Sequence, residues 1–170
     1  MTPTLVTHGP VTCLNVTGLG EPGGAEYGSA VAALFAVAAA LDSPPAMLEG
    51  RWWVEDERPP FEVPREQWRW HLMLNLPAAP APGAVERARL RARPASAAVE
   101  RVQVVTYTEG ECVEALHEGP FSTEYVTLKL MEEFMTEHGL EAAGPHHELY
   151  LTPPDAAELR TLLRQPVAPR

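Results

Sequence analysis

Cysteine is nearly absent from this 170-residue chain: Cys13 and Cys112 are the only two, and neither stands in a CxxC spacing. That excludes a disulfide framework and the common cysteine metal or redox motifs, so two buried free thiols are expected. No run of about 18 uncharged apolar residues occurs, and no membrane-spanning helix is expected. The opening MTPTLVTHGP has neither the basic region nor the apolar stretch of a secretory signal, which predicts a cytoplasmic location. Basic residues are scarce, 13 Lys and Arg against 23 Asp and Glu, for a formal charge of −10. Such a chain repels phosphate backbones, so no nucleic-acid partner is expected. The short run ERARLRARP reads as a solvated linker helix instead. The P-loop, the dinucleotide fingerprint, the GxSxG elbow and HExxH are missing too, and no cofactor is expected.

What the chain does hold is a repeat. TCLNVTGLGEPGGAEYGSAVAALFAVAAAL lies against ECVEALHEGPFSTEYVTLKLMEEFMTEHGL, with Cys13 over Cys112 and Glu26-Tyr27 over Glu124-Tyr125. Each copy reads as a strand, a Gly/Pro turn and a helix, followed by two more strands. Those strands are MLEGRWWVED and QWRWHLMLNLP in the first half, GPHHELYLTPP and ELRTLLRQPV in the second. The alanine- and leucine-rich YGSAVAALFAVAAAL favours helix and is stopped by DSPP, where proline lacks the N–H and clashes with the preceding turn. TEYVTLKLMEEFMTEHG predicts a helix from a Ser/Thr cap to Gly139, apolar at Val126, Leu128, Leu130, Met131 and Phe134. VERVQVVTYTEGECVEALHEG predicts a hairpin turning between Tyr107 and Cys112. The expected fold is α+β: duplicated β-α-β-β units with pseudo-twofold symmetry, an antiparallel sheet with helices on one face and a ligand cleft on the other. One domain spans 1–170, with halves at about 8–77 and 98–167 joined by a proline-rich linker over about 78–97.

Alternation along HHELYL puts His146, Glu148 and Tyr150 on one face and His147, Leu149 and Leu151 on the other. The leucines are expected to face the helices, which sends Glu148 and Tyr150 to the opposite, cleft side. Matching the halves sets Trp53 opposite Glu148 and Glu55 opposite Tyr150. Trp68 and Trp70 share a face with Leu72 and Leu74 and are expected in the core. Of the adjacent Trp52 and Trp53, one must point away from the other, and Trp53 is favoured for the pocket. Indole faces around a carboxylate prefer flat, apolar and cationic ligands. The same carboxylate beside apolar rings has the makings of a general base. Adjacent strand histidines face opposite ways and no His pair stands at i,i+4, so no metal site is expected.

LEGRWW (48–53), WRWHLMLNLP (68–77), EGECVEALHEGPFSTE (109–124), HHELYL (146–151) and LRTLLRQPV (159–167) occur in an order that resembles the gyrase-inhibitor-like (GyrI-like) small-molecule-binding family. The resemblance covers nearly the whole chain. It implies a duplicated β-α-β-β fold, with Glu148 as the pocket glutamate and Tyr150 and the Trp52-Trp53 pair as ring walls. Members of the family serve as effector domains of multidrug-sensing regulators. Some stand-alone relatives bind drugs, and others are hydrolases that open the cyclopropane of DNA-alkylating antibiotics. Where the family has GPYDDE this chain has GPFSTE, which replaces a tyrosine by Phe121. No helix-turn-helix precedes the domain, so a self-contained transcription regulator is not expected. The expected ligand-binding set is Trp52, Trp53, Glu55, Tyr107, Phe121, Tyr125, Glu148 and Tyr150, with Glu148, Tyr150 and Tyr125 catalytic if the chain is an enzyme. The expected partner is a small molecule, flat and apolar or cationic. The gyrase-inhibitor name brings in a protein partner as a third class, which no residue pattern specifies.

Overall fold

The computed structural model describes residues 2–170. In chain order the elements are β1 (Thr4–Leu19), α1 (Ala25–Ala40), β2 (Leu48–Val54), β3 (Trp68–Asn75), α2 (Ala84–Ala92), β4 (Gln103–Glu118), α3 (Glu124–Glu137), β5 (Leu140–Ala142), β6 (His146–Tyr150) and β7 (Arg160–Pro169). The chain divides into two compact units, Val11–Tyr107 and the residues up to Pro10 together with Thr108–Arg170.

In the Val11–Tyr107 unit β3 pairs antiparallel with both β1 and β2. Val16 and Gly50 lie opposite Leu72, and Gly18 and Trp52 lie opposite Trp70. Paired residues share a face, so Leu14, Val16, Trp52, Trp70, Leu72 and Leu74 form one apolar surface, covered by Ala30, Ala33, Leu34 and Val37 of α1. The small alanines let the helix sit close over Trp70, which is fully buried and donates its indole N–H to the Gly20 carbonyl at 3.2 Å. Trp68 packs against the same core, as expected. The linker is less solvated than its composition suggests. α2 lies within it, and Ala88 and Ala92 on its inner side join the core.

In the other unit β7 plays the part of β3, pairing antiparallel with β4 on one side and β6 on the other. β5, which the sequence did not announce, adds to the far end of β7 through Leu140, Glu141 and Ala142. Val113, Ala115, Leu163 and Val167 meet Met131 of α3. The β-α-β-β repeat is therefore present in the pairing itself. The hairpin expected after Tyr107 is not: β4 runs straight through Glu109-Gly110, and Gly110, at φ +71°, absorbs the irregularity. β1 likewise begins at Thr4, earlier than the predicted start of the first strand.

Cys13 and Cys112 are buried free thiols, pushed up by burial to about 11 and about 12 respectively. Neither has the thiolate character of a nucleophile. Among the described residues no helix is long and apolar enough to cross a membrane, and no group of three His, Cys, Asp or Glu is placed to hold a metal ion.

Candidate functional site

Glu148 lies opposite Leu163, and Leu163 packs beneath α3. The carboxylate thus sits on the helix side of its sheet, the reverse of the face expected from Leu149 and Leu151. Leu149 pairs with Leu162 on the other face, beside His147 and Arg164. That other face is polar as well. His147, fully buried, donates from Nδ1 to both oxygens of Glu109 at 2.9 and 3.0 Å. Arg164 donates to Glu109 at 2.9 Å and to Glu114 at 2.6 Å, and His8 donates to Glu114 at 2.7 Å. Burial pushes Glu109 up, but the hydrogen bonds and charges of His147 and Arg164 outweigh it and hold the carboxyl below its ordinary value. With both faces of β6 carrying buried polar groups, apolarity alone is a poor guide to which one meets the helix.

Three groups hold Glu148. His146 donates from Nε2 to Oε1 at 3.1 Å, and the Tyr150 hydroxyl donates to Oε2 at 2.8 Å. The third is Glu124, the first residue of α3, whose carboxyl hydrogen-bonds that of Glu148. Two carboxylates cannot share such a bond, so the pair carries one proton. The proton belongs to Glu124, which is 9% exposed. Burial, then the charge of Glu148, then their mutual bond push Glu124 up to about 8. Burial also pushes Glu148 up, but donors from His146, Tyr150 and Glu124 outweigh it and keep it ionised. Oε1 of Glu124 is buried without a hydrogen-bond partner, an acceptor left over for something else. Phe121 stands edge-on to Tyr150 with ring centres 6.0 Å apart, giving the site an aromatic side.

The sequence missed Glu124. Its signal was the inward spacing of the helix: Glu124, Thr127 and Met131 are the buried residues of α3, at i, i+3 and i+7. Val126, Leu128 and Leu130, taken as the apolar face, are exposed, and Tyr125 is 69% exposed. Tyr125 is not among the groups that bond Glu148.

The remaining candidates lie in the Val11–Tyr107 unit. Trp52 belongs to its core, stacked on Tyr27 at 6.0 Å, and is not a wall facing solvent. Trp53 lies opposite Arg69 on the face away from α1, edge-on to His71 at 4.7 Å. Arg51 donates to Nδ1 of His71 at 3.3 Å and lies over the Tyr107 ring at 4.3 Å. Burial, and then the Arg51 charge, hold His71 below its ordinary value. Glu55 is exposed and paired with Arg69 at 3.0 Å. The pairing registers also correct the match between halves. With Cys13 over Cys112, Glu148 falls on Gly50 and Tyr150 on Trp52, not on Trp53 and Glu55.

Comparison with known proteins follows the same lines. A family model described as the GyrI-like small molecule binding domain matches residues 1–168. An uncharacterized conserved protein from Listeria innocua shares 32% identity over 98% of this chain and 92% of its own, with a TM-score of 0.88. A structure described as a hydrolase from Listeria innocua shares 31% identity over 98% of this chain and 92% of its own, with a TM-score of 0.84. The EcmrR C-terminal domain, at 11% identity over 99% of this chain and 98% of its own, with a TM-score of 0.64, shows the fold alone. No curated protein matches. The chain belongs to the GyrI-like small-molecule-binding family.

Proposed function

We propose that the chain binds flat, hydrophobic small molecules, cationic ones in preference, with Glu148 as charge partner. The observation that carries this reading is an ionised carboxylate with a 14% exposed side chain, held by three donors beside the Phe121 and Tyr150 rings. In a site of reduced dielectric such a charge discriminates between cationic and neutral ligands of one shape. Glu148→Gln is expected to weaken a cationic dye about tenfold or more while leaving its neutral isostere nearly unchanged, as measured by titration calorimetry. Equal weakening of both would sink the charge-partner role.

A second reading, hydrolysis, is favoured by the carboxyl pair. Two neighbouring acids whose proton affinities are pushed apart supply an acid and a base at one pH. The candidate substrate is a strained cyclopropane conjugated to a carbonyl, as in DNA-alkylating natural products. Glu148 takes a proton from water as the water oxygen attacks a ring carbon. The ring C–C bond breaks, its electron pair passes to the conjugated oxygen, and Glu124 delivers its proton there. The product is the substrate plus one water. The 31% identical neighbours described as hydrolases point the same way. Mass spectrometry of such an alkylator after incubation separates the readings: catalytic gain of water, lost in Glu148→Gln, favours the enzyme, whereas an unchanged compound that travels with the protein favours the binder.

A further inference from the structure

α3 reaches the carboxyl pair with little apolar anchorage in its first turns. Glu124 and Thr127 are its only buried residues before Met131, while Tyr125, Val126, Leu128 and Leu130 are exposed. α1 is different at the same place, because Tyr27 packs on Trp52 and Trp70 at 6.0 and 5.8 Å. Something other than apolar packing must fix where Glu124 stands.

His117, near the end of β4 and 5% exposed, is placed to do so. Its Nε2 donates to the Pro120 carbonyl at 3.1 Å and, at 3.3 Å, to the Thr123 hydroxyl oxygen, which leaves Nδ1 to accept from the Thr127 hydroxyl at 2.9 Å. The same Pro120 carbonyl accepts from the Thr123 hydroxyl at 2.8 Å and the Thr123 N–H at 3.0 Å. The turn that carries Phe121 is thus closed around the imidazole and tied to the first turn of α3. Gly119 makes the wrap feasible: its φ is +137°, a conformation that residues with a side chain rarely adopt, and a Cβ there would crowd the Thr123 hydroxyl at 3.3 Å. Glu118, Gly119 and Pro120 also form one wall of a groove of about 440 Å³ whose other wall is Ala156–Arg160.

We propose that His117 is a positioning residue for the ligand site, setting Glu124 against Glu148 and Phe121 against Tyr150 through its hydrogen bonds to Pro120, Thr123 and Thr127. The proposal rests on reading the carboxyl pair as that site. The pair is bonded by His146 and Tyr150 from β6, and Leu163 of β7 lies opposite Glu148. None of them ties the helix start to the sheet as His117 does.

The test reads Glu124 directly, by carboxyl carbon NMR on protein labelled at glutamate, with the resonance identified by its loss in Glu124→Gln. Three variants separate bonding from bulk. His117→Phe keeps a slightly larger aromatic ring and loses every hydrogen bond, His117→Asn is smaller but keeps an acceptor for Thr127, and Thr127→Val removes only the helix end of the tether. The Glu124 midpoint, about 8 in the parent chain, is expected to fall by about one unit in His117→Phe and Thr127→Val, a tenfold change in proton affinity. His117→Asn is expected to stay closer to the parent. A midpoint unmoved in folded His117→Phe and Thr127→Val, or a smaller shift in Phe than in Asn, overturns the proposal. If His117→Phe does not fold, the isosteric Thr127→Val decides alone. Ethidium, a flat cation, is titrated in parallel. Its failure to bind the parent chain would count against the ligand reading, while the carboxyl titration would still decide the role of His117.

Discussion

Between β3 and α1, the Val11–Tyr107 unit places Trp70, Trp52 and Tyr27, with Gly18 leaving room for the Trp70 ring and Gly50 opposite Leu72. At the corresponding registers between β7 and α3, the other unit places Thr161, Tyr150 and Glu124, with His117 and Glu148 where the glycines were. One arrangement is a dry aromatic plug: a Cβ on Gly18 would lie 2.1 Å from the Trp70 ring. The other exchanges ring volume for two carboxyls, an imidazole and a phenol. A duplicated unit thus has one position that large aromatics fill in one copy and buried polar groups occupy in the other. The two Glu-Tyr pairs show the same divergence. In α1 Tyr27 packs inward and Glu26 pairs outside with Arg101 at 2.8 Å, whereas in α3 Glu124 turns inward and Tyr125 outward.

The strongest way to break this comparison is to give the plug the residue of the site. Trp70→Thr removes a fully buried indole and its bond to Gly20. A loss of about 3–5 kcal/mol is expected, enough to unfold a marginal domain, read as a drop in the urea midpoint. Thr161→Val, at the matching position, is expected to cost about 1–2 kcal/mol, because shape is kept and only a hydroxyl is lost. Comparable losses at the two positions would mean that both are simply core.

A smaller effect comes from the proton. Folded, Glu124 keeps its proton up to about pH 8, whereas an unfolded glutamate releases it near 4.3. Between those values the folded chain binds more protons, so this group's contribution to stability falls as pH rises and is fully lost above about pH 8. Glu148, held low, acts in the opposite sense: its contribution is present above the ordinary carboxylate range and is lost as pH falls through its folded value. Glu124→Gln keeps a donor toward Glu148 without the ionisable proton. It is expected to stabilise the chain by about 1–3 kcal/mol at pH 8 and hardly at all at pH 5. Tyr27→Phe, at the matching inward position, should change stability equally at both pH values. A pH-independent effect of Glu124→Gln would show that the pair does not share a proton.

Much of this was legible in the sequence. The alanine-rich helix with its DSPP stop, the strands on either side and the two-fold repeat followed from propensity and breakers. Alternation correctly grouped His146, Glu148 and Tyr150 on one face. It could not say which face met the helix, because period two fixes relative orientation only, and Leu149 with Leu151 outweighed Leu163, which lies on a different strand. Glu124 escaped for a related reason. The sequence match laid Glu-Tyr on Glu-Tyr, but the inward residues of the helices, the partly buried Tyr27 with buried Ala30 and Leu34 against Glu124, Thr127 and Met131, are offset by one more residue. A slip of one residue turns a helix by about 100° and exchanges what lies inside. Glu109-Gly110 looked like a turn because Gly commonly ends a strand, yet one residue at positive φ lets β4 continue.

The finest test exchanges one oxygen. Tyr150 and Trp52 hold the same register position, each beside its own sheet's central strand. Trp52→Phe removes ring area from a packed core, so a loss of stability is expected with no change in the titration of Glu148. Tyr150→Phe keeps the ring against Phe121 and removes the hydroxyl, and with it the 2.8 Å donor to Glu148. About 1 kcal/mol of stability is expected to go with it, since the bond is partly exposed and water replaces part of it. Its clearer mark lies in the carboxyl titration. With one of its three donors gone, Glu148 should rise and Glu124, facing a partner that ionises less readily, should fall, so that the two midpoints approach each other. If both stay where they were while stability drops, Tyr150 is packing as Trp52 does, and the polar character of this slot rests on the two glutamates alone.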